Sequence, residues 1–251
     1  MQNPLAPYWL AQLFLTRLPA PTLRQFDDHL QAQAVYCYPL VGAVIGLLLG
    51  LVSVALPAGQ LTSAIILCCW VLITGGLHID GLGDSADGWL GGLGDKQRTL
   101  EIMKDPRAGS AAVMIIALLL LLKFAALNSL KPEVLFGALL TATVLGRCVP
   151  ALLFFTTPYA RTDGLASGLL TVARPVPQLL WVGVIILSVT IVWVSTYGWP
   201  LLALPALLGL ILYLLRALMC ARIDGVTGDT VGAAVEIIEM ACLILLVVLI
   251  D

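Results

Sequence analysis

Residues 75–88 read Gly75-Gly76-Leu77-His78-Ile79-Asp80-Gly81-Leu82-Gly83-Asp84-Ser85-Ala86-Asp87-Gly88 and directly follow an apolar run long enough to enter a membrane. Asp80, Asp84 and Asp87 stand at positions i, i+4 and i+7, which predicts that they lie along one face of a helix. Carboxylates this close together repel one another, and a hard divalent cation relieves that repulsion. The stretch therefore predicts a carboxylate–metal site at the edge of a membrane.

The composition indicates a membrane protein. Of the 251 residues, 60% are hydrophobic and only 11% are charged, whereas soluble domains carry about 25% charged residues. The formal net charge of −2 argues against a nucleic-acid partner. We predict an all-α, polytopic bundle of about seven transmembrane helices with interfacial helices on the cytoplasmic side, forming one catalytic domain over residues 1–251. Its expected spans are 35–56, 61–77, 110–130, 134–156, 179–196, 200–219 and 231–250.

Two segments are expected near the membrane interface. The run at 61–77 is short and contains Thr74-Gly75-Gly76, so we expect it to end inside the interface. Residues 5–18 form an apolar stretch closed by Arg17, which is typical of a helix lying flat on the membrane surface.

The lysines and arginines predict the orientation. Loops on one side of the predicted spans hold ten of the thirteen, and those on the other side hold only Lys131. By the positive-inside rule the richer side is cytoplasmic, with the N-terminus inside and the C-terminus outside. The ten residues are Arg17, Arg24, Lys96, Arg98, Lys104, Arg107, Arg161, Arg174, Arg216 and Arg222.

The aspartate face has an alternative interpretation as a solvated helix surface. The glycines interleaved with it argue against this, because each destabilises a helix by up to about 1 kcal/mol and is typical of places where backbone or ligand approaches closely. The neighbouring His78 fits either a hydrogen-bonded structural group or a phosphate ligand.

Two cytoplasmic segments carry candidate phosphate contacts. Residues 96–107 fit an amphipathic helix on lipid headgroups as well as a set of phosphate clamps, in which Lys104 and Arg107 would face substrate. Residues 156–164 fit a proline-containing loop, in which Tyr159 and Arg161 offer stacking and phosphate contacts.

The last polar segment places carboxylates on a spanning helix. Asp229 and Glu236 are seven residues apart on one face, and Glu239 follows one turn later. Charged groups inside a span are functional candidates by default. Asp229 is expected either to join the metal site or to cap the helix. Glu236 and Glu239 either serve the site or pair with Lys123 and Arg147, and for Glu239 we favour the structural pair. Buried Arg147 requires an anion, either an acidic side chain or a phosphate.

These segments together resemble the cobalamin synthase family, the adenosylcobinamide-GDP ribazoletransferases. The resemblance runs in one order across nearly the whole chain, and the glycine–aspartate block is its most specific part. Its segments are Phe14-Leu15-Thr16-Arg17-Leu18-Pro19, residues 75–92, Arg98–Arg107, Thr157-Pro158-Tyr159-Ala160-Arg161 and Gly225–Glu239.

The resemblance implies an Mg²⁺-dependent enzyme of the bacterial inner membrane with its active site facing the cytoplasm. It implies that the 3′-hydroxyl of α-ribazole, or of α-ribazole 5′-phosphate, attacks the cobinamide-side phosphorus of adenosylcobinamide-GDP and releases GMP. Other cobalamin-assembly enzymes, membrane lipid and a second copy of the chain are further candidate partners. We assign catalysis and metal binding to Asp80, Asp84, Asp87 and Asp229, with Asp87 and Asp229 as candidate bases. We assign substrate binding to His78, Lys104, Arg107, Arg147, Tyr159, Arg161 and Glu236.

Two alternative functions remain at the level of sequence. Asp84-Ser85-Ala86-Asp87-Gly88 fits the opening of the CDP-alcohol phosphotransferase motif, but Gly91-Gly92 stands where that motif has Ala-Arg. A transporter would use Lys123, Arg147, Glu236 and Glu239 as a charge relay, although no helix repeat of the kind typical of transporters is visible.

Overall fold

Ten α-helices and one short 3₁₀-helix make up the part of the chain that the structure describes. The structure is a computed structural model, and it describes residues 4–23, 27–161 and 175–250. The 3₁₀-helix Trp199–Leu202 joins α8 to α9. The described residues contain no strand, so the predicted all-α class is confirmed. The α-helices are α1 (Ala6–Leu15), α2 (Asp28–Ala55), α3 (Gln60–Thr74), α4 (Leu77–Gly91), α5 (Lys96–Ile102), α6 (Ser110–Ser129), α7 (Pro132–Thr156), α8 (Pro175–Tyr197), α9 (Ala203–Ile223) and α10 (Gly228–Ile250).

Six helical segments in the described ranges are long and apolar enough to cross a membrane. They are α2, α6, α7, α8, α10 and the continuous segment Trp199–Ile223. These coincide with six of the seven predicted spans. The seventh, predicted at 61–77, corresponds to α3, which has only 15 residues. It passes the same test only together with α4, and the two helices are bent by 88°. The expected count of about seven is therefore reached when the bent pair is counted as one span.

The bend between α3 and α4 is built from two glycines. Gly75 and Gly76 have φ angles of 66° and 72°, in the left-handed region that favours glycine. The backbone N–H of Arg17 donates to the carbonyl of Ile73, with 2.7 Å between the two atoms. An added Cβ at Gly75 would collide with the Arg17 side chain. The bend turns α4, which carries the three aspartates, away from the direction of α3.

Helices α2 and α7 pack closely through glycines spaced four residues apart. A Cβ added at Gly46 would lie 2.6 Å from the Cα atom of Leu140, and one added at Gly42 would lie 3.0 Å from the Cα atom of Val144. Such spacing of small residues lets two membrane helices bring their backbones together. In α7, 78% of the most apolar stretch is buried, against 17% in α8, so α7 forms the centre of the bundle and α8 lies at its periphery.

The polar loops gather at one end of the bundle. Lys96 of α5 forms an ion pair of 2.9 Å with Asp224, which follows α9. Arg216 of α9 donates to the Thr157 hydroxyl at the end of α7, at 2.8 Å. Segments that the lysine and arginine count assigned to one side therefore lie together, whereas Arg24 and Arg174 from that count lie outside the described residues. Which side of a membrane this end faces stays a prediction, as does the interfacial position of α1.

Candidate active site

Helix α4 presents two carboxylates that have no partner among the residues that the structure describes. Asp80 is exposed and Asp84 is half-buried. Neither carboxylate forms a hydrogen bond or an ion pair with any residue that the structure describes. Asp84 lies within electrostatic range of Asp80, Asp87 and Asp229. Among the described residues, Arg161 is the one cation within the same range. The pair is therefore available to bind a cation in surroundings where carboxylates outnumber cationic groups.

Helix α10 crosses α4 at glycines. A Cβ added at Gly81 would lie 2.9 Å from the Cα atom of Asp229 and 2.7 Å from its carbonyl oxygen. A Cβ added at Gly232 would lie 3.3 Å from the Cα atom of His78. Because no side chain separates the two backbones at these points, Asp229 lies directly beside α4. The structure thus brings together the two distant carboxylate segments that we expected to meet.

Asp229 forms an ion pair with Arg161. Arg161 Nη1 lies 2.9 Å from Asp229 Oδ2. Arg161 reaches this position because the chain after α7 pairs with the chain before α10. The backbone N–H of Ala160 donates to the carbonyl of Val226 at 2.8 Å, and the N–H of Val226 donates to the carbonyl of Pro158 at 2.9 Å. The ring of Tyr159, between these bonds, lies with its centre 6.2 Å from that of Phe154.

Two threonines, rather than Asp229, close the start of α10. The hydroxyl of Thr230 accepts from the backbone N–H of Thr227 at 2.9 Å, and the hydroxyl of Thr227 accepts from the N–H of Thr230 at 3.2 Å. This reciprocal arrangement satisfies N–H groups that a helix start leaves free. The carboxylate of Asp229 is therefore not needed as the cap that we had considered, and it faces Arg161 instead.

Asp87 caps a different helix from its own. Its Oδ2 accepts from the backbone N–H of Gly109 at 2.6 Å, and its Oδ1 accepts from that of Ala112 at 3.0 Å. These N–H groups lie at the start of α6, where a negative charge also interacts favourably with the helix dipole. Both oxygens of Asp87 are thus engaged in joining α4 to α6.

The two cations predicted from residues 96–107 are both at the surface. Lys104 is exposed, and its side chain makes no hydrogen bond or ion pair with the described residues. Arg107 has a side chain that is 87% exposed, and it binds both oxygens of Asp105 at 2.9 and 2.7 Å. These hydrogen bonds lower the pKa of Asp105 to about 2. Arg107 lies two residues before Gly109, which Asp87 holds, and this places its loop at the edge of the aspartate face.

Below the aspartate face lies a buried network of four charged side chains. Lys123 Nζ of α6 lies 2.6 Å from Glu236 Oε2 and 2.7 Å from Glu239 Oε2, both on α10. Arg147 of α7 pairs with the other oxygen of Glu239. All four side chains are at most 3% exposed. The structural pairing favoured for Glu239 is confirmed. The network also engages Arg147 and Glu236, which we had expected to bind substrate.

His78 connects the aspartate face to this network. The residue is 6% exposed and packs against Gly232 of α10. Lys123 and Arg147 lie within electrostatic range of the imidazole. Its Nδ1 is buried and makes no hydrogen bond within the described residues. The structure therefore leaves both interpretations of His78 open, as a structural group and as a ligand.

The residues present fit a magnesium ion bound through few protein ligands. No group of three or more acidic, histidine or cysteine side chains in the described residues is arranged to hold a metal. Of the four predicted metal ligands, Asp87 and Asp229 bind other groups, and Asp80 and Asp84 have no partner within residues 4–23, 27–161 and 175–250. Mg²⁺ commonly binds one or two carboxylates and completes its shell with water and substrate phosphates. The free pair therefore has the chemistry for that mode of binding.

Arg222 holds helices of the candidate site together, although in the sequence it was considered only as one of the cytoplasmic cations. Its guanidinium donates to the carbonyl of Trp89 at the end of α4 and to the hydroxyl of Thr99 on α5. It also lies over the Trp89 ring, 5.8 Å from the ring centre. Arg222 thereby fastens α4 and α5 to the end of α9. The one sequence signal was a cation directly before the glycine-rich segment at 225–228, which does not name its partners.

Comparison with known proteins identifies one family and several relatives of the chain. The sequence profile of one family, described as Cobalamin-5-phosphate synthase, matches residues 7–247. A protein of Pseudomonas putida strain W619 named adenosylcobinamide-GDP ribazoletransferase is 44% identical over 237 residues, which cover 93% of this chain and 95% of the relative. A protein of the same name from Acinetobacter baumannii is 42% identical over 254 residues, covering 97% of this chain and 98% of the relative. No solved structure matches the chain.

Proposed function

The chain belongs to the cobalamin-5-phosphate synthase family, and on that basis we propose that it is an adenosylcobinamide-GDP ribazoletransferase. It joins adenosylcobinamide-GDP to α-ribazole, or to α-ribazole 5′-phosphate, and releases GMP. The observation that carries the proposal is the meeting of α4 and α10, which sets two free carboxylates beside an Asp229–Arg161 ion pair. Transfer from the diphosphate of adenosylcobinamide-GDP is served by both kinds of group, because carboxylates bind a divalent cation and a guanidinium binds phosphate oxygens.

We assign the binding of magnesium to Asp80 and Asp84. They are the members of the predicted carboxylate set that the described residues leave without partners. When bound, Mg²⁺ supplies neutralisation of the diphosphate and of the charge that develops on the leaving GMP. The two carboxylates lie four residues apart on one helix, so one rigid element carries both.

Arg161 and the loop of Lys104 and Arg107 bind the phosphates. The guanidinium of Arg161 uses one nitrogen for Asp229, and its Nε and Nη2 make no hydrogen bond within the described residues. Two free N–H groups on one edge of a guanidinium match two phosphate oxygens. Lys104 and Arg107 lie on the loop that leads to Gly109, which Asp87 binds. On binding substrate, Arg107 releases Asp105 and takes a phosphate in its place. Tyr159 orients the loop that carries Arg161.

The reaction replaces a phosphoanhydride bond of the diphosphate with a phosphate ester bond to the ribazole. The 3′-hydroxyl oxygen of the ribazole forms a bond to the cobinamide-side phosphorus, and the bond from that phosphorus to the bridging oxygen breaks. GMP leaves with the electron pair, and the hydroxyl proton passes to a carboxylate. Asp229 is placed for this role, because binding of the diphosphate draws Arg161 away and leaves the carboxylate free. The protein otherwise contributes positioning and charge.

We further propose that the protein lies in the bacterial inner membrane with this end facing the cytoplasm. The location in a membrane is supported by the six segments that are long and apolar enough to span one. The orientation rests on the excess of lysine and arginine on one side and on the gathering of those segments at one end of the bundle. Nucleotide substrates are charged, so an opening toward the cytoplasm supplies them without a membrane crossing.

The test is release of GMP by purified protein in detergent. Mg²⁺ and adenosylcobinamide-GDP are supplied with α-ribazole, without it, and with EDTA in place of Mg²⁺. We expect GMP in proportion to the corrinoid product only when both substrates and the metal are present. Matched reactions with CDP-alcohols and a lipid alcohol control for the alternative phosphotransferase. Release of CMP in those reactions, with none of GMP, would overturn the proposal.

A further inference from the structure

Lys123 lies on the spanning helix α6, and none of its ion pairs within the described residues involves Asp80, Asp84, Asp87 or Asp229. Its side chain is 2% exposed, and its ammonium group binds one oxygen of Glu236 and one of Glu239. The ring of Trp70 on α3 covers it, with 4.5 Å from Nζ to the ring centre. A lysine in a span is costly unless it is paired. This one holds two carboxylates of the same helix at once.

Three links join α4, α6 and α10 into a closed triangle. Asp87 of α4 holds the start of α6 through two backbone N–H groups. Gly81 of α4 touches the backbone of Asp229 on α10. Lys123 closes the triangle by joining α6 to α10 through Glu236 and Glu239. Removing one link leaves the two helices that it joined held only by the packing of their other side chains.

The Lys123 link acts at a distance from the chemistry. Glu236 follows Asp229 by seven residues, which is about 10 Å along a helix at 1.5 Å per residue. Two bonds to carboxylates three residues apart fix both the rotation of α10 about its axis and its position along that axis. Arg147 binds only Glu239 in the described network, so it does not by itself fix both the rotation and the axial position of α10. The rotation of α10 decides where the Asp229 carboxylate points.

We propose that Lys123 is a positioning residue for the transfer reaction, which sets α10 so that Asp229 stands beside Asp80 and Asp84. The inference rests on the proposed function and adds a residue to which no role in that reaction had been given. It also gives Glu236 a role in holding α10 in place of contact with substrate.

The test compares three variants with the wild-type enzyme. Lys123→Met removes the link and leaves an excess buried negative charge. Lys123→Met with Glu236→Gln removes the link and restores the charge balance. Thr141→Val is the matched control. It removes a buried hydrogen bond outside the triangle, in which Trp193 Nε1 of α8 donates to the Thr141 hydroxyl of α7 at 2.8 Å. Measurements are kcat, KM for each substrate, the midpoint of thermal unfolding and hydrogen exchange of the backbone.

We expect Lys123→Met to lower kcat by about a hundredfold, the effect of a misplacement on the order of 1 Å, with KM for both substrates nearly unchanged. The double variant should recover part of this loss, with a kcat about tenfold below that of the wild type. Two neutral side chains in place of the ion pair are tolerated better in the interior than one unpaired charge. Thr141→Val should lower the midpoint of thermal unfolding. At temperatures well below that midpoint its kcat should equal that of the wild type. Backbone amides at 228–234 should exchange faster in Lys123→Met and not in Thr141→Val.

Wild-type kcat in Lys123→Met below its unfolding midpoint would overturn the proposal, because it would show a role in stability alone. A raised KM with normal kcat in the double variant would also overturn it, since Glu236 would then contact substrate. If Lys123→Met does not fold, the double variant decides, and wild-type kcat there refutes the idea. If the wild-type enzyme releases no GMP, the proposed function fails, and hydrogen exchange still decides whether Lys123 positions α10.

Discussion

Replacing Gly81 by alanine tests the contact on which the candidate site depends. The new Cβ would lie 2.9 Å from the Cα atom of Asp229 and 2.7 Å from its carbonyl oxygen. Carbon atoms pack best at about 3.5–4.0 Å, so α4 and α10 must separate by roughly 0.5–1 Å. Both neighbours are backbone atoms and have no rotamer with which to relieve the overlap.

A separation of this size should lower kcat for GMP release by up to about a hundredfold, equivalent to about 2.7 kcal/mol of activation free energy. The assay is GMP release at saturating substrate and Mg²⁺, with thermal unfolding followed in parallel to select a temperature at which every variant is folded. KM for adenosylcobinamide-GDP should change less than kcat, because Arg161 and the Lys104 loop remain in place.

Gly183→Ala is the matched control for Gly81→Ala. Gly183 lies within α8, and nothing stands within 4 Å of a Cβ placed there. It should retain wild-type kcat and gain stability of roughly 0.5–1 kcal/mol from the better helix former. Wild-type turnover in Gly81→Ala would refute the reasoning, since the site would then tolerate displacement of Asp229 from α4.

Four further outcomes are expected. Asp84→Asn keeps the shape of the side chain and removes a free charge, so it should lower kcat by about a hundredfold or more, and full activity at ordinary Mg²⁺ would contradict metal binding there. Asp87→Asn keeps an acceptor for α6 and should retain most activity, whereas Asp87→Ala should lose about 1–2 kcal/mol of stability, read as a lower unfolding midpoint; an Asp87→Asn as inactive as Asp84→Asn would return Asp87 to the metal ligands. Gly46→Leu should prevent accumulation of folded protein, because its Cβ would lie 2.6 Å from the Cα atom of Leu140; normal yield in membranes would contradict the packing of α2 on α7. Reporter fusions should place residues 90–100 in the cytoplasm and the C-terminus in the periplasm, and a cytoplasmic C-terminus would show that the bent pair is not a span.

The sequence allowed the helical aspartate face to be predicted because the information is local. A spacing of i, i+4 and i+7 defines a helix face without any knowledge of neighbours, and α4 spans Leu77–Gly91 as that spacing requires. Hydropathy located six spanning segments for the same reason. It did not record direction, so the 88° turn after α3 was missed even though two adjacent glycines stood at the right place.

What the sequence left open was the choice of partner for each charge. Asp87 was expected to bind metal, but the N–H groups it contacts are 22 and 25 residues further along the chain. No spacing rule connects a carboxylate to the start of another helix. Glu236 and Arg147 show the same difficulty, because an ionisable group in a span suits a ligand site and an internal ion pair equally well until the facing helix is known.

The position of the buried network in chain order has a consequence for biosynthesis. Lys123 and Arg147 enter the membrane well before Glu236 and Glu239, which arrive only with α10. Until then each cation stands in the bilayer without its carboxylate, at a cost of about 2.5–3.5 kcal/mol on the insertion scale. The nascent protein therefore has a higher free energy until α10 supplies the carboxylates. Chains interrupted before Gly228 expose two unpaired charges to lipid, and in pulse–chase labelling they should be degraded faster than full-length chains. The four buried charges that hold α6, α7 and α10 together therefore also determine whether an incomplete chain survives in the membrane.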